Sequence, residues 1–222
     1  MSTGPCVVLV PGLWVTRASM LVLARRLATC GFRVRMAGYP SVRRDLAANA
    51  EHLAAAVEDL AGGGVGFVGH SLGGMVIREM LRRHPARAGS RVVTLGTPHN
   101  GSRVATGLWR FPPLRPLLGR SVGDLVRGAS AHMGPAPPHL GCVAGSRPLG
   151  AGRLVVPGLE PPHDGTITVA EALLDGAEAS ITLPVSHTEM LFSARVAEAV
   201  GRFLRECRFG EAAERRAGRT EG

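Results

Sequence analysis

The residues with the most chemical potential lie in Gly69-His70-Ser71-Leu72-Gly73, a Gly-x-Ser-x-Gly pentad. In a sharp strand-to-helix turn this pattern presents the serine hydroxyl outward, because the glycines leave room for the backbone that packs on either side. A chain with 30 glycines matches such a pentad by chance with some frequency, so its weight comes from its context. The apolar run 65–68 precedes it, and a segment follows in which Leu72, Met75, Val76 and Met80 share one helical face. A serine at that helix start meets the positive end of the helix dipole, which favours developing negative charge.

A serine hydroxyl is a poor nucleophile until a base takes its proton, and the base in turn needs an orienting carboxylate. The order serine, acid, histidine that belongs to this turn leaves His84, His99, His132, His139, His163 and His187 as bases. His187 stands out, since it follows the apolar run 181–185 and precedes the closing helical segment, at the strand end where parallel sheets build their sites. For the acid, Asp164 in His163-Asp164-Gly165-Thr166 comes first, with Asp175 and Glu160 as alternatives and Asp124 too early. Asp-Gly is also an ordinary turn pair. The amides of Leu72 and of Leu13, in Pro11-Gly12-Leu13-Trp14, are candidate donors to an oxyanion. Trp14, Leu108, Trp109 and Met190 are candidate substrate-binding residues, with Leu13, Phe111 and Leu191 beside them, although each also suits plain core packing.

The elements that must position these groups alternate along the chain. Apolar runs at 7–10, 32–36, 65–68, 92–95, 140–144 and 181–185 read as strands, the first being a continuous β-branched run suited to burial on both faces. Segments 19–29, 45–60 and 72–83 carry helical periodicity, and Val196, Val200, Phe203, Leu204 and Cys207 form the inner face of a closing helix. This alternation predicts an α/β fold with a mostly parallel sheet between two helical layers. Residues 102–139 are rich in Pro, Gly and scattered large apolar side chains, and read as an insertion over a pocket or as a pair of helices. One domain over 1–209 and a charged tail over 210–222 complete the expectation.

Composition narrows the function. The 222 residues include 26 Arg and no Lys against 17 carboxylates, a formal charge of +9. A cationic chain invites nucleic acid or anionic lipid as a partner. With 4% aromatics to stack bases and no run of five basic residues, nucleic acid is disfavoured, and arginine in place of lysine beside abundant Ala, Gly and Pro fits a GC-rich coding bias. Cys6, Cys30, Cys142 and Cys207 contain no Cys-x-x-Cys pair, so they are read as buried thiols rather than metal ligands. Neither an export signal nor an apolar stretch of about 18 residues is visible, which predicts a cytoplasmic protein.

The pieces 7–13 (Val-Val-Leu-Val-Pro-Gly-Leu), 69–74 (Gly-His-Ser-Leu-Gly-Gly), 94–102 (Thr-Leu-Gly-Thr-Pro-His-Asn-Gly-Ser), Asp164-Gly165 and Ser186-His187-Thr188 together resemble the α/β-hydrolase superfamily. Within it the chain is similar to the small lipase/esterase branch that includes inositol-deacylase-like proteins. The resemblance implies a three-layer sheet of about six strands without a large cap domain. It implies Ser71 as nucleophile, Asp164 as acid, His187 as base, Leu13 and Leu72 as oxyanion donors, a small-molecule or lipid ester as substrate, and no metal or cofactor. Two departures stand out: Pro11-Gly12 replaces the His-Gly that many relatives have, and the chain begins at the first central strand. The segment 108–118 would then be a short cap or the wall of an acyl pocket. Acyl transfer to another alcohol, thioester cleavage and a catalytically silent binding scaffold remain the competing functions.

Overall fold

Alternation within each strand decides which layer each side chain joins, and β1 (Cys6–Val10) shows it: Val7 and Leu9 belong to one buried cluster, Val8 and Val10 to the other. A computed structural model describes residues 4–60, 64–150, 155–156 and 159–210. The remaining elements are α1 (Leu21–Thr29), β2 (Arg33–Met36), α2 (Leu46–Ala56), β3 (Gly66–His70), α3 (Leu72–Arg83), β4 (Val92–Leu95), α4 (Arg103–Trp109), α5 (Arg115–Val126), α6 (Ala129–His132), β5 (Leu140–Gly145), α7 (Val169–Ala172), β6 (Ala179–Leu183) and α8 (Ala194–Glu206). The six strands form one sheet in the order β2-β1-β3-β4-β5-β6, with every neighbouring pair parallel. One face carries α1 and α8 through Leu23, Leu27, Val200 and Phe203, and the other carries α2, α3 and α5 through Leu53, Ile77, Met80 and Leu125. This is the three-layer hydrolase-type architecture expected, with no large cap domain among the described residues.

A parallel sheet puts all strand ends of one sense on one edge, so the loops after Val10, His70, Leu95, Gly145 and Leu183 converge there. Segment 102–139 is helical, as α4, α5 and α6, and not an irregular insertion. It is pinned to the body by polar bonds: Asn49 donates to Ser121 Oγ (2.9 Å), Ser121 donates to the carbonyl of Arg44 (2.9 Å), and Asp124 caps the amide of Leu46 (2.9 Å).

Several boundaries differ from expectation for local reasons. β3 runs on through His70, two residues past the apolar run, because the turn begins at Ser71 itself. β6 spans Ala179–Leu183 instead of 181–185, since Pro184 has no amide for the ladder. The helix expected at 45–60 ends at Ala56 and is followed by a 3-10 turn, Glu58–Leu60, and a 3-10 turn Arg17–Met20 precedes α1. Cys207 is not on the inner face of α8 but caps it in the left-handed conformation (φ 54°). Only Cys142 among the four thiols is buried; Cys6, Cys30 and Cys207 sit at element ends and are partly exposed. The α3 helix is buried all round from Leu72 to Leu81, beyond the single apolar face read from its sequence. The tail expected over 210–222 lies outside the described residues beyond Gly210. No helix among the described residues is long and apolar enough to cross a membrane.

Burial of α3 brings one cation inside. Arg78 donates to His99 Nδ1 (3.2 Å) and to the carbonyl of Gly134 (3.1 Å), and His99 Nε2 meets Thr94 Oγ1 (2.9 Å), which lies 3.3 Å from the carbonyl of Gly141. A guanidinium only donates, so His99 Nδ1 accepts, Nε2–H donates to Thr94, and the ring is neutral. Burial, and then the charge of Arg78, push its pKa down to about 3. The unfolded chain therefore takes up this proton near pH 6.5 while the folded one does not, so stability is full above pH 6.5 and falls as pH drops toward 3. Urea unfolding between pH 7 and 5 is expected to show this decline, and His99→Gln is expected to lessen it, the remainder belonging to buried His70, whose pKa is likewise pushed down to about 3.

Candidate active site

Ser71 occupies the tight bend between β3 and α3 with φ 53° and ψ −124°, a conformation that a side chain tolerates only when its surroundings enforce it. Here β4 enforces it. The Ser71 amide donates to the carbonyl of Leu95 (2.8 Å), and Thr97 Oγ1 donates to the carbonyl of Ser71 (2.9 Å). The glycines of the pentad make the approach possible: a Cβ on Gly69 would stand 2.5 Å from the backbone of Gly74, and one on Gly73 would collide with the carbonyl of Val10. The sequence thus yields an outward serine at a helix N-terminus, where the first amides have no intrahelical acceptor.

Asp164 and His187 meet at 2.6 Å, Oδ2 to Nδ1. The carboxylate is 1% exposed, and its other oxygen accepts amides from Thr166 (2.9 Å) and Ile167 (2.7 Å), which completes its acceptor role. With those donors the carboxylate is held as an acceptor, so Nδ1–H of His187 donates to it and the neutral ring has its lone pair at Nε2. A second bond ties the same two residues, the His187 amide to the Asp164 carbonyl (2.9 Å). The turn chemistry of Asp-Gly and the carboxylate–imidazole contact coexist in one loop.

The alternative acids sit elsewhere. Asp175 is exposed in a turn, Glu160 lies 3.8 Å from Arg103 on the surface, and Asp124 caps α2. Among the other histidines His84 pairs with Glu51, His99 is bonded to Arg78, His132 to the carbonyl of Gly128, and His139 lies near Glu178, while His163 accepts the amide of Gly165 (3.0 Å).

Ser71 and His187 line one cavity of about 410 Å³, together with Leu13, Leu72, Leu108 and Leu125. Its walls are chiefly apolar, and α4 and α5 supply one side. The Leu13 amide has no acceptor among the described residues. Trp14 stands at the rim, 61% exposed with φ 57°, and its indole donates to the carbonyl of Leu117 (2.9 Å), tying the loop after β1 to α5. Phe192, at 46% exposure, also lines the mouth.

Three expected pocket residues, Trp109, Met190 and Phe111, are absent from its lining. Trp109 packs on α5 over Gly123 and under the Arg115 guanidinium (5.7 Å), lining a separate hollow, because α4 turns that side chain away from the strand ends. Met190 is fully buried in the core against Gly145, inserted by the 3-10 turn Glu189–Leu191. Phe111 is exposed and lies outside the cavity, whereas Leu191 does line it. Among the described residues no group of three or more His, Cys, Asp or Glu is placed to hold a metal ion.

Two features escaped the sequence. His70 is buried against His187, although it fills a variable place in the pentad, so residue type alone gave no signal. Gly96 lies beneath the acid–base pair: a Cβ there would stand 2.9 Å from both Asp164 Oδ2 and His187 Nδ1, at φ 55°. Gly96→Ala is expected to lower turnover of whatever the site processes by roughly 10²-fold, the usual scale of a misplacement near 1 Å, and steady-state rates with a melting curve would check it.

A family profile described as an alpha/beta hydrolase family matches residues 7–199. Among solved structures, the mature form of a lipase from Bacillus licheniformis superposes with TM-score 0.72 at 23% identity, covering 86% of this chain and 88% of that one. A metagenomic carboxyl esterase gives 0.66 at 19% identity, covering 93% and 77%. A thioesterase domain from the nocardicin cluster gives 0.57 at 20% identity, covering 92% and 95%. At these identities the structural likeness speaks for the fold. No curated protein matches the chain.

Proposed function

Taking as premise that the chain belongs to the alpha/beta hydrolase family, we propose that it is a serine carboxylic-ester hydrolase of lipase or esterase type. The observation that carries this reading is the 2.6 Å contact between buried Asp164 and His187 beside a cavity that Ser71 lines at a strained turn. Such a set is costly to assemble and has an evident use. His187 Nε2 takes the Ser71 proton as Oγ attacks the ester carbonyl carbon, and the carbonyl oxygen becomes an oxyanion. The amides of Leu13 and Leu72 meet that charge, each worth about 10²–10³ in rate in comparable sites. His187 returns the proton to the leaving alcohol as the carbon–oxygen bond breaks and an acyl-Ser71 forms. It then deprotonates a water that attacks the acyl carbon, and the acid leaves with Ser71 restored. Asp164 fixes the tautomer of His187 and stabilises its cationic form. These steps draw only on the chain's own groups and water.

The apolar cavity favours an ester with a hydrocarbon acyl group, taken against Leu108 and Leu125, with segment 102–139 as the wall or short cap of that pocket. The exposed Trp14 and Phe192 at the mouth, on a chain of charge +9, support transient contact with an anionic lipid surface. Hydrolysis of an emulsified ester is then expected to rise with anionic lipid content and fall with added salt; indifference to both would remove the lipid contact from the account.

Ser71→Ala is expected to abolish hydrolysis of 4-nitrophenyl esters graded by acyl length, and also covalent labelling by a fluorophosphonate, while leaving the melting curve intact. Wild-type turnover in that variant would place the nucleophile elsewhere. Including a competing alcohol in the same assay reads acyl transfer directly, as ester product in place of free acid.

A further inference from the structure

His70 is the last residue of β3 and the direct neighbour of Ser71, yet proton transfer as written above does not use it. Its imidazole is 2% exposed and makes one polar contact, from Nε2 to the backbone carbonyl of His187 at 3.0 Å. A carbonyl only accepts, so Nε2 carries the proton and Nδ1 is bare. Nδ1 is buried with no partner among the described residues, 3.1 Å from where a Cβ on Gly12 would stand. For packing alone this is an unfavourable choice, because an apolar side chain such as leucine fills a similar volume without an orphaned nitrogen.

The benefit lies on the other side of the ring. Among the described residues His187 itself is otherwise held only through Asp164, by its amide and by its Nδ1–H, while its neighbours Val185 and Ser186 are tied to Arg147 and Glu189. The His70 bond is a third anchor from a different element, the strand that carries Ser71 itself. The two rings lie 4.7 Å apart, tilted by 49°. Burial, and then the proximity of His187, hold the His70 pKa down to about 3, so the ring is neutral at working pH. A neutral neighbour does not oppose the positive charge that His187 gains when it takes the serine proton.

We propose that His70 is a positioning residue for the base: its Nε2–H grips the His187 carbonyl and fixes the His187 ring relative to Ser71. This rests on the reading of Ser71 as nucleophile and His187 as base. The test compares the full chain with His70→Phe and His70→Leu, which remove the donor, His70→Gln, which keeps an N–H, and Ser71→Ala. For the His70 variants, steady-state kinetics on a soluble 4-nitrophenyl ester are referred to the number of chains that a fluorophosphonate labels at completion, so that misfolded chains do not enter, and Ser71→Ala is referred to total folded chain. The donor-less variants are expected to lose about 10²-fold in kcat with KM held within about twofold, since positioning acts on the transition state and not on substrate binding. His70→Gln is expected to recover at least about tenfold of that loss, a rescue that a packing role does not produce. Unchanged kcat per labelled chain in the donor-less variants, with or without a lowered Tm, would assign His70 to packing and overturn the proposal, as would a glutamine variant as slow as phenylalanine. Activity surviving in Ser71→Ala would instead sink the nucleophile reading, so the two failures are distinguishable.

Discussion

The constraint on which the rest of the structure depends is the backbone of Ser71, held at φ 53° between β3 and α3. A serine does not adopt that conformation in isolation, so three neighbouring segments close on it: the end of β1, the loop after β4, and the start of α3. Each closure removes side chains. Gly73 faces the Val10 carbonyl, Gly69 faces Gly74, and the carbonyl of Ser71 is tied to Thr97. What results is a hydroxyl projecting into an apolar cavity from a backbone with little room to move.

Asp164 and His187 are held on the same plan, by loops stiffened by their own hydrogen bonds. Asp164 receives two loop amides on one oxygen and the His187 ring on the other, so its acceptor capacity is directed before any substrate arrives. Preorganisation of this kind is where enzymes of similar architecture find much of their rate, because no dipole has to reorient as charge develops. No large cap domain lies among the described residues, and the body of the fold walls the cavity itself. The helices α4 and α5 form the wall, and α5 is fastened to the core through Ser121 and Asp124.

Much of this was legible in the sequence, and the boundary of legibility has a physical reason. Period and order gave six parallel strands, and chemistry gave Ser71, Asp164 and His187 as one candidate set, of which the structure joins the last two by a direct bond and opens Ser71 and His187 onto one cavity. Apolar residues were harder: Leu108 faces the cavity, while Trp109, next in the chain, faces another hollow, and Met190 went into the core. Hydrophobicity says that a side chain avoids water without saying against which surface. The strand β6 stops at Leu183, short of the end of the apolar run 181–185, because Pro184 removes a ladder donor inside a run of otherwise suitable residues. Gly96 and His70 needed the tertiary structure, since their roles come from what they touch across more than 60 residues of chain, Gly96 against Asp164 and His70 against His187.

Basic charge, the most conspicuous property of the composition, has little part in the candidate site, whose groups are backbone amides, a hydroxyl, an imidazole and one carboxylate. Arg78, the one buried arginine among the described residues, serves the packing of α3 and not the cavity. The central claim is that an acyl group passes through Ser71, and acid quenching during turnover of a 4-nitrophenyl ester, followed by peptide mass mapping, tests it most directly. The account predicts a burst of nitrophenol approaching one per chain and the acyl mass on the peptide that contains Ser71. Sustained ester cleavage with no acyl mass at Ser71 at any quench time would contradict it.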